Sequence, residues 1–203
     1  MPKQKKRRTV KKRLVALISG GGSNLQAVMD ACGLGNLDSK VVAVISSNYE
    51  AGGLLRAKAA KIDTFVCALG DFASREERDA KILRIAKKCK ADYLLLLGYL
   101  GICSKILIDA YPKKIINIHP ALLPKYGGAG YFGLNVHKAV LDAGDKVSGA
   151  TVHYVDEGTD TGEIIMSREV AVLDGDTAES LQERVLGMEH ELIVEALRVV
   201  FGE

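Results

Sequence analysis

The sequence predicts an α/β fold: an open, mostly parallel twisted sheet with helices on both faces, completed by a late antiparallel segment and a C-terminal helix. Three observations lead there. Short apolar runs alternate with amphipathic stretches from Leu14 to His119. The run YLLLLGYL (93–100) is apolar throughout, as a strand covered on both sides must be. After His119 the rhythm changes, and two extended segments follow each other without a helix between them. Strand–helix–strand alternation at this spacing implies right-handed crossovers and neighbouring parallel strands.

The elements follow in order. LVALIS (14–19) reads as the first strand, ended by Gly20-Gly21-Gly22. In SNLQAVMDAC, Leu25, Val28, Met29 and Cys32 recur at helical spacing, with Gly33 as the stop. VVAVISSN (41–48) is the second strand, GGLLRAKAAKI (52–62) the second helix and TFVCAL (64–69) the third strand. Ser74 opens a third helix whose apolar face is Ile82, Ile85, Ala86 and Cys89. A short helix over 103–110 leads from the fourth strand (93–100) to the fifth, IINIH (115–119). GATVHYVDE (149–157) and EIIMSREVAV (163–172) are extended and joined by the turn GTDTG. Asp176 and Glu179 have capping-box spacing before a terminal helix carrying Leu181, Val185, Met188, Leu192 and Ala196 on one side.

Length and composition bound the rest. At 203 residues, 48% hydrophobic and 26% charged, the chain suits one soluble globular domain, expected over 14–203. No apolar run approaches the ~20 residues of a membrane span. The 21 glycines and 4 prolines form no repeat. Cys32, Cys67, Cys89 and Cys103 lie 35, 22 and 14 residues apart, with no CxxC and no histidine at ligand spacing. That pattern points to free thiols in a reducing compartment and away from a metal site. The net charge of +3 conceals an asymmetry: residues 1–13 hold eight Lys/Arg and no acid, so residues 14–203 carry 20 basic against 25 acidic side chains. The run 1–13 reads as a solvated tail, with a nucleic-acid arm or a localisation signal as the competing readings. It lacks the apolar core of a signal peptide, so a cytoplasmic protein is expected.

Three constellations carry chemistry. GGGSN (20–24) sits between the first strand and helix, where backbone N–H groups of Gly21 and Gly22 and the side chains of Ser23 and Asn24 can meet an anion at the positive helix end. Leu25 and Ser47-Asn48 depart from the dinucleotide fingerprint, and the GK[ST] of a P-loop is missing. A single phosphate monoester therefore fits better than a dinucleotide or ATP; a plain tight turn is the alternative. In NIHPALLPKYGG (117–128), Asn117 and His119 are two apart and leave one face of the fifth strand. An amide beside an imidazole suits a developing oxyanion and a moving proton. A carboxylate of DEGTDTG (156–162) can orient His119; by spacing alone Asp156, Glu157 and Asp160 are equally available. No nucleophile elbow, HExxH pair or Cys–His pairing stands out, which favours direct transfer between bound substrates.

SGGGSNLQ (19–26), NIHPALLPKY (117–126) and HYVDEGTDTG (153–162) together resemble the phosphoribosylglycinamide formyltransferases of the formyl-folate transferase superfamily, over essentially residues 14–200. The resemblance implies a Rossmann-like formyltransferase fold with a phosphate-binding N-terminal half and a folate-binding C-terminal half. It implies transfer of formyl from 10-formyltetrahydrofolate, a co-substrate, to the amine of glycinamide ribonucleotide, without a metal. It assigns Asn117, His119 and Asp160 to catalysis, with Asp160 keeping His119 charged. It assigns Gly21, Gly22, Ser23, Asn24 and Glu189 to the ribonucleotide. Arg75, the wall Leu100, Gly101, Ile102 and Cys103, and the turn Glu157, Gly158 and Thr159 go to the folate. Two departures stand out: the wall lacks the family's Met-Arg-Ile-Leu, and the loop 127–137 is longer, with His137 at a second family histidine. The expected partners are these small molecules, with no membrane and no nucleic acid, in a monomer or homodimer.

Four alternatives remain at this level. Formyltetrahydrofolate hydrolase shares the triplet but carries a regulatory domain that 13 residues cannot supply. Methionyl-tRNA formyltransferase carries a further C-terminal domain, and sugar-nucleotide formyltransferases have no use for a monophosphate cradle. A nucleic-acid-binding module using the basic tail would leave the triplet without a role.

Overall fold

The computed structural model describes residues 11–203, so residues 1–10 of the basic run lie outside the described part. Seven strands form one sheet in the order β3-β2-β1-β4-β5-β6-β7. β1 (Lys12–Ile18), β2 (Ser39–Ser46), β3 (Asp63–Val66), β4 (Tyr93–Leu96) and β5 (Ile115–His119) are parallel. β6 (Val147–Tyr154) and β7 (Ile164–Ala171) extend the sheet antiparallel. The helices are α1 (Ser23–Leu34), α2 (Gly52–Ala59), α3 (Arg75–Lys88), α4 (Lys105–Ala110), α5 (Leu134–Asp142) and α6 (Ala178–Phe201).

Alternation along β1 separates two cores. Leu14, Ala16 and Ile18 pack with α1, α2, α5 and α6, whereas Val15 and Leu17 pack with α3 and α4. β4 divides in the same way, Leu95 to one core and Leu94 and Leu96 to the other. Successive side chains of a strand point to opposite faces, so a central strand with helices on both sides must be apolar at every position.

Several boundaries differ from the sequence expectation, each for a physical reason. β1 starts at Lys12 because pairing with Ser39 continues past the apolar run, and the Arg13 N–H donates to Asp92 Oδ2 at 2.8 Å. Gly33 lies inside α1; Gly35 ends that helix, in the left-handed region at φ 79°. β4 stops at Leu96, where pairing with β5 ends, and residues 97–103 turn towards the cleft described below. The capping box of α6 is formed by Thr177 and Ser180, not by Asp176 and Glu179. Asp176 is occupied instead by Arg184, at 2.7 and 2.8 Å. The longer loop expected over 127–137 ends at Gly133, and α5 follows with Val136, His137 and Val140 as its buried side. Among the described residues no helix is long and apolar enough to cross a membrane.

β1 pairs with β2 on one side and β4 on the other. The connections leaving these strands diverge, which opens a crevice beyond their C-terminal ends. Gly22, at φ 73°, forms the turn into α1, and a Cβ there would lie 2.7 Å from the Gly53 Cα. Gly53 N in turn donates to Gly20 O at 3.1 Å. Two backbones are thus pressed together at the mouth of the crevice. Gly22→Ala is expected to destabilise the fold by about 1–3 kcal/mol, through left-handed strain plus the clash, as read by urea unfolding.

Candidate active site

The crevice is a cleft of about 690 Å³. Its lining joins Gly20–Asn24, Arg56, Leu97–Cys103, Asn117, His119, Gly128–Gly133, His137, Asp156, Gly158–Asp160 and Glu189. Residues far apart in sequence meet there because β6 pairs antiparallel with β5, setting His153 directly opposite Asn117. Val155 N donates to Ile115 O at 2.9 Å, and the segment that follows bends back to carry Asp160 to Asn117 and His119.

Asp160, with φ 58°, uses its two oxygens on different partners. Oδ1 accepts from Asn117 Nδ2 at 3.3 Å and stands 3.6 Å from His153 Nε2. Oδ2 accepts from Gly128 N at 3.0 Å and stands 3.5 Å from His119 Nδ1. Burial alone would raise this carboxyl, but His153, His119 and the Gly128 N–H together hold it below the ordinary value. Asn117 Nδ2 also donates to His153 Nε2 at 3.0 Å, while His153 Nδ1 donates to Tyr154 O at 2.8 Å. His153 thus orients the Asn117 amide.

His119 is 4% exposed, and its Nε2 lies 2.7 Å from Tyr126 O. A carbonyl can only accept, so Nε2 carries the hydrogen and Nδ1 is the nitrogen turned to Asp160. Burial lowers the imidazole pKa below its ordinary value; Asp160 and the Tyr126 carbonyl oppose that shift without reversing it. Asp160 favours the charged ring, in the expected sense, while burial acts against it and is the larger of the two effects. His137, on α5, is driven further down, to about 4, by burial and by His119.

The three acids of the 156–162 turn separate. Asp156 Oδ1 accepts from Gly158 N and Thr161 Oγ1 and so builds the turn. Glu157 does not line the cleft; its carboxylate accepts from Lys105 Nζ at 2.6 Å. Asp160 alone faces the histidines, and Gly158 and Thr159 line the cleft beside it.

At the other end, Gly21, Gly22, Ser23 and Asn24 line the cleft, and α1 has no side-chain cap. Its first-turn N–H groups are left free for an anion or water. Arg56 of α2, not singled out from sequence, adds a cation, with Nε donating to Gly21 O at 2.8 Å. Asn24 Nδ2 donates to Glu189 Oε2 at 2.8 Å. Burial pushes the Glu189 carboxyl up to about 7, partly opposed by Asn24.

The wall Leu100–Cys103 lines the cleft as expected, with Leu100 and Ile102 exposed. Its backbone is braced from two sides. Leu100 N donates to Ser19 Oγ at 2.8 Å, and Arg78 Nη2 donates to Ile102 O at 2.8 Å. Arg78 pairs with Asp79 at 2.7 Å, and Asp79 Oδ2 accepts from Ser104 N. Arg75 is one turn away; it does not line the cleft, and its guanidinium stands 3.7 Å from Glu76. The buried cation behind the wall is thus Arg78. No periodicity distinguishes the two arginines, since both lie in the first turns of α3. Among the described residues no group of three or more His, Cys, Asp or Glu is placed to hold a metal ion.

The family described as formyl transferase matches residues 12–197. This chain belongs to the formyl transferase family. Among formyl transferases, it is 39% identical over 197 residues to the chloroplastic phosphoribosylglycinamide formyltransferase of Arabidopsis thaliana, covering 95% of this chain and 66% of that protein. It is 36% identical to the phosphoribosylglycinamide formyltransferase of Haemophilus influenzae, covering 89% of this chain and 83% of the relative. The crystal structure of glycinamide ribonucleotide transformylase 1 from Symbiobacterium toebii superposes with a TM-score of 0.89 at 38% identity, covering 94% of this chain and 88% of that one. The formyl transferase fold, antiparallel end included, is therefore the fold of this chain.

The buried carboxyl of Glu189 yields a pH prediction. With its folded pKa raised from 4.5 to about 7, the folded state keeps a proton that the unfolded chain releases. The contribution of Glu189 to stability therefore falls as pH rises from about 4.5 to about 7 and is flat above, while the lowered His137 and His119 contribute with the opposite sign below about 6.5. Glu189→Gln keeps an acceptor for Asn24 and removes the charge. It is expected to stabilise the unliganded protein by about 2–3 kcal/mol at pH 8 and to have little effect at pH 4.5, as read by paired urea unfolding curves.

Proposed function

We propose that the protein transfers the formyl group of 10-formyltetrahydrofolate to the amine of glycinamide ribonucleotide, giving formylglycinamide ribonucleotide and tetrahydrofolate in purine biosynthesis. The observation that carries this reading is the Asn117–His119–Asp160 cluster in one cleft with an anion cradle and an apolar mouth. Family membership and the printed names of the relatives support the choice of substrates.

Gly21, Gly22, Ser23, the α1 N-terminus and Arg56 receive the phosphate, because free N–H groups, a helix dipole and a guanidinium converge there. Asn24 and Glu189 take the ribose hydroxyls. Leu100 and Ile102 on one lip and Tyr131 and Phe132 on the other are exposed, apolar and suited to a flat heterocycle; the 100–103 backbone and Gly158–Thr159 complete the donor site. With Gly101 in the wall, recognition there passes through backbone groups.

In the reaction the substrate amine attacks the formyl carbon. A C–N bond forms, and the carbonyl π electrons become an oxyanion. Asn117 is held by His153, and its second N–H rests on the 3.3 Å contact to Asp160, the weaker of its two bonds. Exchange of that contact for the oxyanion costs little. The proton shed by the amine goes to Nδ1 of neutral His119, and the imidazolium so formed is paired by Asp160. The tetrahedral carbon then breaks its bond to the folate nitrogen, which takes up the proton. Charge is thus supplied where the transition state needs it, by groups already oriented.

The four free cysteines fit a reducing compartment, and we place the protein in the cytoplasm; the Arabidopsis relative is named as chloroplastic. We propose a single formyltransferase domain that begins with β1 at Lys12, two residues before the expected boundary, and works as a monomer or homodimer.

The test follows tetrahydrofolate release from 10-formyltetrahydrofolate with and without glycinamide ribonucleotide. Release that needs the ribonucleotide and yields its formyl product is expected; release without it, or none in either tube, overturns the reading. In the same assay His119→Ala and Asp160→Asn are each expected to lower kcat ~10²-fold or more with KM little changed. Arg56→Ala is expected to raise the KM for the ribonucleotide about 10-fold or more while kcat holds.

A further inference from the structure

His119 can serve as proposed only if Nε2 keeps its hydrogen pointing away and leaves Nδ1 to the cleft. That condition is met by one backbone atom, the carbonyl oxygen of Tyr126, at 2.7 Å. Two residues on, Gly128 N donates to Asp160 Oδ2 at 3.0 Å. The short segment 126–128 therefore fixes both members of the His119–Asp160 pair. Its geometry is not one a chain adopts freely, since Tyr126 is a bulky residue in the left-handed region at φ 60°.

What holds it there lies outside the cleft. The Tyr126 hydroxyl donates to Asp145 Oδ2 at 2.7 Å. Asp145, in the connection between α5 and β6, also receives Lys125 Nζ at 2.9 and 2.6 Å. The Lys125 ammonium lies 4.9 Å from the centre of the Tyr126 ring, and the Tyr131 ring meets it edge-on at 5.8 Å. Neither Tyr126 nor Asp145 lines the cleft.

We infer that Tyr126 and Asp145 are positioning residues for His119: the phenol–carboxylate bond pins Tyr126 so that its carbonyl selects the Nε2–H form of the imidazole and aims Nδ1 at Asp160 and the substrates. The charged and titratable groups facing His119 are Asp160 from the 156–162 turn, His153 from β6 and His137 from α5. Tyr126 O is the group within hydrogen-bond reach of Nε2. Because donation to that carbonyl favours the charged ring, its loss lowers the His119 pKa further.

The test uses the full chain and has two arms. The first needs no substrate: nitrogen-15 NMR of the histidine rings reads the His119 tautomer. The Nε2–H form is expected in the unaltered protein, and a mixture with Nδ1–H in Tyr126→Phe and in Asp145→Ala. The second arm rests on the formyl-transfer reading and measures kcat and KM against pH. Each variant is expected to lose kcat on the order of 10-fold with both KM values within about 2-fold, and to show the His119 limb moved to lower pH. Asp145→Asn, which keeps an acceptor for the phenol, is expected to restore most of kcat. The double variant Tyr126→Phe, Asp145→Ala is expected to be no worse than either single one, as for two residues in one linkage. An unchanged tautomer in both variants overturns the inference, as does a double-variant loss equal to the product of the single losses. If the unaltered protein transfers no formyl group, the functional reading fails while the NMR arm still decides this one.

Discussion

Much of the site depends on one buried carboxylate. Asp160 is taken largely out of water, which costs a free ion several kcal/mol unless partners replace its hydration. Here an amide and a backbone N–H donate to the two oxygens, two imidazoles stand 3.5 and 3.6 Å away, and the carboxyl lies below its ordinary pKa. The partners come from three separate parts of the chain. Asn117 and His119 end β5, His153 lies across on β6, and Gly128 belongs to the loop before α5. A charge that needs all of these to be tolerated also fixes where they sit, so the antiparallel end of the sheet and the 126–133 loop are locked to the same point.

That requirement explains the change in topology after β5. A parallel strand beside β5 would need a crossover helix before it could return. An antiparallel β6 instead brings His153 opposite Asn117 in the ladder and leaves the following segment free to bend back with Asp160. The parallel half does the complementary work. The connections leaving β1 and β4 diverge to form the crevice, Gly22 and Gly53 press the first turn of α1 against α2, and Arg56 lies beside the Gly20–Asn24 loop.

The division of labour was readable in part. Apolar runs located the five parallel strands, the central β1 and β4 most plainly because a strand buried on both faces has no freedom to be polar, and Asn-x-His at the end of β5 was visible from period-two geometry alone. His153 was not, since cross-strand partners are set by register, and register is a property of two segments. The choice among Asp156, Glu157 and Asp160 was likewise hidden. All three are acids in one turn, and only the folded backbone turns one to Thr161, one to Lys105 and one to the histidines. Arg78 escaped notice beside Arg75 because helical spacing says which face is buried but not which cation has an ion partner waiting beneath it. The resemblance named Arg75, and the structure leaves that side chain beside Glu76, off the cleft.

The protonation state of His119 gives the site its direction. With Nε2–H committed to Tyr126, the Nδ1 lone pair faces a carboxylate at 3.5 Å, two acceptors with no hydrogen between them. Such a pair is unfavourable at rest and becomes favourable when a proton arrives. In the proposed reaction, burial, which lowers the His119 pKa, favours a ring free to take the proton that the attacking amine sheds. The nearby carboxylate then stabilises the charge that forms. An imidazole charged from the outset would have nothing to accept, and one without Asp160 would release the proton as soon as it was taken. The same low-dielectric surroundings that penalise the resting charge strengthen the pair once it exists, so desolvation and ion pairing act in sequence on one proton.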